Sequence, residues 1–147
     1  MEFSQLKTGD KLPSTPWFSV SQDNINEFAD ATQDHQWIHI DAERCARESP
    51  FKTTIAHGFL SASLMPKMLD QVVTVDPRTH TMLNYGIDNL RFLEPVRVND
   101  ELRYGFEVTS IEQKATGLLY KVAVQVDIKN RAKPALIGSF LMLLISK

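Results

Sequence analysis

The chain has 147 residues, 43% of them apolar and 23% charged, and a formal net charge of −2. That is long enough for a real hydrophobic core without staples, and the near-neutral balance, with no basic block or stripe, argues against nucleic acid as a partner. The single cysteine, Cys45, excludes an internal disulfide and fits a reducing, cytoplasmic setting.

In chain order, "KTGDKLPSTPWFSVSQ" holds turn residues and then the apolar stretch Trp17–Val20, which reads as a strand leading into a helix. Ser21 is placed to cap that helix. Ile25, Phe28, Ala29 and Thr32 follow at helical spacing, so residues 22–32 form an amphipathic helix. A second helix starts at Asp41, whose carboxylate can cap the amides of 43 and 44. It runs through "AERCARE" and stops before Pro50. In "HGFLSASLMPKMLDQVV" the apolar residues surround the helix on most sides. The pattern predicts burial nearly all round for residues 58–72, with a kink at Pro66.

From residue 81 the period becomes alternating. Leu102, Tyr104, Phe106 and Val108 point one way; Arg103, Glu107 and Thr109 point the other. Tyr120, Val122, Val124, Val126 and Ile128 repeat the pattern against Lys121, Gln125 and Asp127. "TMLNYGIDNLRFL" and "PALIGSFLMLLISK" supply two more strands, with Gly86 and Gly138 marking bulges or close backbone approaches. The C-terminal apolar run is too short to span a membrane, residues 1–10 show no signal-peptide pattern, and no repeat or linker divides residues 1–147. One apolar helix followed by at least four antiparallel strands needs a sheet wrapped around that helix. The fold is therefore α+β, a single hotdog domain with a buried central helix.

The chemistry-bearing stretch is "ATQDHQWIHIDAE", residues 31–43. With "TIAHGFLSASLMPKML" and "LNYGIDNLRFLEPVRVNDELR" it resembles the MaoC-like hydratases, including (R)-specific enoyl-CoA hydratases and the nodulation protein N branch. The motif is D-x-x-x-x-H, Asp34 to His39, with a downstream H-G-x-x-x-x-S, His57 to Ser63. The resemblance implies that Asp34 and His39 are the catalytic pair, that Gly58 offers a backbone amide to the substrate carbonyl, and that Ser63 organises the pocket near Asp34. It implies reversible hydration of a trans-2-enoyl-CoA to an (R)-3-hydroxyacyl-CoA, with no metal or redox cofactor, in a homodimer whose sheets join edge to edge. Acyl-CoA and acyl carrier protein thioesters are both open as substrates. R-specific hydratases often carry Asn-Pro inside the D-to-H segment; here Gln36-Trp37 stands there, so Trp37 bears on the pocket and on chain length.

Hydrating a conjugated thioester needs a proton taken from water, a proton given to C2, and stabilisation of charge on the thioester oxygen. A carboxylate and an imidazole suit the first two tasks. An amide at a helix N-terminus suits the third, and a glycine lets the thioester come close. On this reading the two residues hold one water, Asp34 takes its proton and His39 mediates delivery to C2, while residue types alone leave open which of the two carries each proton. Five residues on one helix turn by about 500°, so Asp34 and His39 converge only if the chain leaves the helix between them.

Plainer readings stand beside these. Asp34 alone reads as a turn residue, and His39 alone as a structural histidine. His35 reads as exposed and inert, and His57 as shaping the loop before the helix. Ser63 reads equally as a small helix residue bonded to its own backbone, Trp37 as a pocket wall, and Cys45 as a small buried apolar group. No compact three-ligand metal set at helical spacing is visible. Arg91, Arg97 and Arg103 are surface cations that can meet CoA phosphates. The competing functions are a hotdog acyl-CoA thioesterase and a non-catalytic acyl-CoA-binding module.

Overall fold

The computed structural model describes residues 1–147. A two-residue strand, β1 (Phe18–Ser19), leads into helix α1 (Gln22–Thr32). The Ser21 hydroxyl accepts from the Asn24 amide, and the Asn24 side chain accepts from the Ser21 amide, both at 3.1 Å. This reciprocal cap satisfies two donors that the first turn leaves free. The helix buries Ile25 and Ala29 and ends at Gln33, whose φ of 61° is left-handed. That residue turns the chain out of the helix just before Asp34.

Helix α2 (Trp37–Ile40) was not foreseen, since four residues are too few to show a period. Helix α3 (Ala42–Glu48) starts as expected: Asp41 Oδ1 accepts from the Arg44 amide at 3.0 Å, and the helix ends before Pro50.

The expected single central helix is two, α4 (Gly58–Ser63) and α5 (Met65–Asp70), parted at Leu64. Pro66 lies in the first turn of α5, where a missing N–H costs least. The expected all-round burial also needs correction. Leu60, Ser61, Ala62, Met65, Met68 and Leu69 are buried, but Phe59 is 66% exposed. Ser63 and Lys67 also face outward. The sheet curls over only one side of this helix pair.

That sheet is antiparallel throughout, ordered β1-β3-β4-β5-β2, with β2 His80–Phe92, β3 Glu101–Gln113, β4 Leu118–Ile128 and β5 Leu136–Ser146. The register sets Leu102, Tyr104, Phe106 and Val108 opposite Ile128, Val126, Val124 and Val122, all buried. Buried Tyr104 donates its hydroxyl hydrogen to the Ser61 carbonyl at 2.6 Å, tying sheet to α4. Both glycine expectations hold. β2 slips register between Asn84 and Gly86, and again between Asp88 and Arg91. A Cβ on Gly138 would lie 3.2 Å from the Leu90 Cα. The N-terminal segment covers the β3 edge, its Gly9 and Leu12 amides bonding the Val108 and Phe106 carbonyls. β2 forms the other, bare edge, where Leu83, Tyr85 and Ile87 are exposed.

A Cβ on Gly117 would overlap the Leu144 carbonyl, whereas one on Gly105 meets nothing nearer than 3.8 Å. Gly117→Ala is expected to cost about 1–3 kcal/mol, and Gly105→Ala to be neutral or stabilising by about 0.5–1 kcal/mol. Thermal unfolding of the two variants compares them; equal losses would refute this packing.

Candidate active site

Three side chains far apart in sequence converge. The potential ligand atoms of Asp34, His39 and His57 all lie within 4.8 Å of one another. The left-handed Gln33 and the short α2 make this possible, because the chain leaves α1 just before Asp34 and enters α2 at Trp37, before His39.

His39 is 7% exposed, and its Nδ1 lies 2.7 Å from the Ile55 carbonyl oxygen. A carbonyl only accepts, so Nδ1 carries the proton and Nε2 keeps its lone pair. Burial lowers the His39 pKa from the ordinary 6.5; the Ile55 bond opposes this, His57 adds to it, and Asp34 opposes it weakly. His39 is therefore neutral at pH 7, with Nε2 an acceptor. The Asp34 side chain, by contrast, is 53% exposed, and its Oδ1 sits 3.4 Å from the Gln36 amide.

His57 is 3% exposed and acts as a strut. Its Nε2–H donates to the Asp34 backbone carbonyl at 3.0 Å, and the same nitrogen is 3.9 Å from Asp34 Oδ2. Its ring stacks on His39 at 3.7 Å between centroids, with 21° between the planes. The segment entering α4 is held on both sides. The Ile55 amide bonds the Ile38 carbonyl at 3.0 Å, and the Ala56 amide bonds the Val96 carbonyl at 2.7 Å. Gln22 ties in from α1, donating to the His39 carbonyl at 2.8 Å and accepting from the Thr54 hydroxyl at 2.5 Å.

Beside His39 is a cavity of about 250 Å³ whose walls include Ile55, Gly58, Ser61, Phe92 and Ala135. The loop between β2 and β3, which forms one wall, is braced by a two-pronged ion pair from Arg131 to Asp100 at 2.7 and 3.1 Å. The Gly58 amide has no acceptor within the protein. The bare face of Gly58 is covered by Phe92, whose ring carbons would lie 2.8 Å from a Cβ there. A second, more apolar hollow of about 500 Å³ opens between Phe28, Phe59, Ser63, Met65, Tyr85 and Ile87.

The remaining expected residues fall as follows. Ser63 donates its hydroxyl to the Leu60 carbonyl at 2.8 Å and faces the second hollow. Trp37 lies under the Arg44 guanidinium, 4.2 Å from the ring centroid, and forms no wall of the cavity beside His39. His35 is exposed and bonds Asp30 at 2.8 Å. Cys45 is fully buried, and burial raises its thiol pKa, which makes it a poor nucleophile. Arg103 stacks on Trp17 and Arg97 lies 3.9 Å from Glu94. Arg91 turns back on the Leu90 carbonyl.

A compact set of metal-binding residue types, invisible in sequence spacing, is thus present in space. Its geometry suits a metal poorly. The two imidazoles are stacked, so their in-plane lone pairs run side by side, and His57 Nε2 already donates to Asp34. Two features of the site and its cavity were missed from sequence. The Ile55 carbonyl has no side-chain signature at all. Ser61 left one small mark, a hydroxyl between Leu60 and Ala62 on an apolar helix.

Comparison with known proteins agrees with this picture. A model of the MaoC like domain matches residues 3–130. The chain is 39% identical over 131 residues to 3-hydroxyacyl-thioester dehydratase Z of Mycobacterium tuberculosis, covering 88% of this chain and 85% of that protein. It is 38% identical to nodulation protein N of Rhizobium leguminosarum bv. viciae, covering 94% and 86%. Among solved structures, the R-hydratase PhaJ1 of Pseudomonas aeruginosa superposes with a TM-score of 0.79 at 25% identity, over 99% of this chain and 86% of that one. Fold and likeness together define a hotdog enzyme of the hydratase/dehydratase class. Within that class, the chain belongs to the MaoC-like domain family.

The His39 tautomer is open to measurement. Nitrogen-15 NMR at pH 7 should show His39 protonated on Nδ1 alone, titrating with a midpoint below 6.5. A midpoint at or above 6.5 would contradict the neutral, buried ring.

Proposed function

We propose that this enzyme interconverts trans-2-enoyl thioesters and (R)-3-hydroxyacyl thioesters by adding or removing water. The observation that carries the reading is the tautomer of His39, a neutral imidazole with a free Nε2, in a cluster where one ring nitrogen each of His39 and His57 and a carboxylate oxygen of the exposed Asp34 lie within 4.8 Å of one another. The (R) hand and the thioester substrate rest on the likeness to dehydratase Z and the R-hydratase.

In hydration, one water sits between Asp34 and His39. Because Nδ1 is already protonated, His39 Nε2 takes the water's proton as oxygen bonds to C3. This revises the sequence-based assignment, in which Asp34 took that proton. The Asp34 carboxylate accepts the water's other hydrogen and stabilises the imidazolium that forms. His39 then delivers its proton to C2, so one water is added and both residues return to their starting states. The Gly58 amide lies where negative charge gathers on the thioester oxygen. Neither proton transfer requires a metal or redox cofactor.

Because His39 must be neutral, kcat/KM should be flat above neutral pH and fall in acid as His39 protonates, with a midpoint below 6.5. Asp34→Asn and His39→Gln should each lower the hydration of crotonyl-CoA by about 10²–10⁴-fold. Loss of the enoyl absorbance follows the reaction, and chiral analysis reads the product. Wild-type rates in either variant would refute the assignment. Thiol release without hydration would indicate a thioesterase instead.

We also propose that the bare β2 edge meets a second copy of this chain. Tyr85 is 57% exposed, and Phe59, Leu83, Ile87 and Phe92 continue its apolar patch across β2 and α4. Such a strand edge is seldom left uncovered. Sedimentation should find a dimer in the wild type and a weakened one in Tyr85→Glu.

A further inference from the structure

We infer that Ser61 is a second substrate-contacting donor, its hydroxyl hydrogen-bonding the carbonyl oxygen of the bound thioester. The inference rests on the hydration chemistry proposed above. Ser61 is 2% exposed, and its Oγ has no hydrogen-bond partner within the protein. Buried hydroxyls are rarely left so, because an unmet one costs free energy on burial. This one lines the same cavity of about 250 Å³ as His39 and Gly58, where most other walls are apolar.

Its position follows from the helix. Ser61 stands three residues after Gly58, on the same face, and a helical side chain leans back toward the N-terminal turn. The turn is held in place from behind, where the Tyr104 hydroxyl bonds the Ser61 carbonyl at 2.6 Å. The other unmet buried atom, His57 Nδ1, is an acceptor, since Nε2–H is spent on the Asp34 carbonyl. Of the two, only Ser61 can donate to an oxygen.

Chemistry selects the oxygen. The acyl part of an enoyl thioester has one, the thioester carbonyl; the reaction adds a second at C3. Asp34 is not a wall of this cavity, so the water it shares with His39 lies at the mouth. The oxygen that reaches inward past His39 to Ser61 is then the carbonyl. A donor there acts most strongly as charge builds, so it raises kcat more than it lowers KM.

The test is Ser61→Ala in the full chain. Its kcat with crotonyl-CoA should fall about 10²-fold, with a smaller rise in KM and the same product hand. Its melting temperature should be unchanged or higher, because the hydroxyl has no internal partner to lose. Inhibition by butyryl-CoA should weaken, whereas inhibition by S-butyl-CoA, which lacks the carbonyl, should not. A wild-type kcat, an equal loss of both inhibitors, or a steep fall in melting temperature would overturn the inference. If the wild type hydrated no enoyl-CoA, the proposed function would fail, and calorimetric binding of butyryl-CoA and S-butyl-CoA to the wild type and to Ser61→Ala would still decide whether Ser61 touches the carbonyl.

Discussion

The site depends on one hydrogen bond, from His39 Nδ1 to the Ile55 carbonyl. It does three things at once. It sets the tautomer, so that Nε2 keeps a free lone pair. It joins α2 to the segment that feeds α4, which share no local sequence. It also gives the one N–H of the buried ring a partner, while desolvation keeps the ring neutral. The segment on the other side of this bond is itself fixed, because Ile55 and Ala56 bond Ile38 and Val96, and the Val98 amide bonds Thr54. Stacked His57 then carries the constraint to Asp34 through its backbone carbonyl.

The two members of the pair sit in contrasting surroundings, and that contrast is useful. His39 is inside, where desolvation favours the neutral ring. Asp34 is half-exposed, so its carboxylate keeps contact with solvent. Asp34 is located by its backbone, which leaves its carboxylate free to meet water. A pair buried equally on both sides would compete for a single proton before any substrate arrived.

What was legible in the sequence was local. Residues 22–32 carry a helical period and a serine cap, and the observed helix has those bounds. Tyr104 and its alternate neighbours announce a one-sided strand, and Gly86 and Gly138 mark the disturbances in β2 and β5. The spacing argument for Asp34 and His39 also anticipated non-helical chain between them, which residues 34–36 supply before α2 begins at Trp37. What was hidden depended on which elements meet. Apolar residues all round α4 and α5 implied full burial, yet the sheet covers one side and Phe59 stands outside. Neither the Ile55 carbonyl nor the strut made by His57 follows from residue type, because each acts through a partner distant in the chain.

The strand order has a consequence for how this protein is made. β2 precedes β3, β4 and β5 along the chain, yet its sole strand partner is β5. During synthesis, therefore, His80–Phe92 emerges with both edges open and waits until Leu136–Ser146 has followed. Such late, distant pairing slows folding and prolongs exposure of an apolar strand to wrong partners.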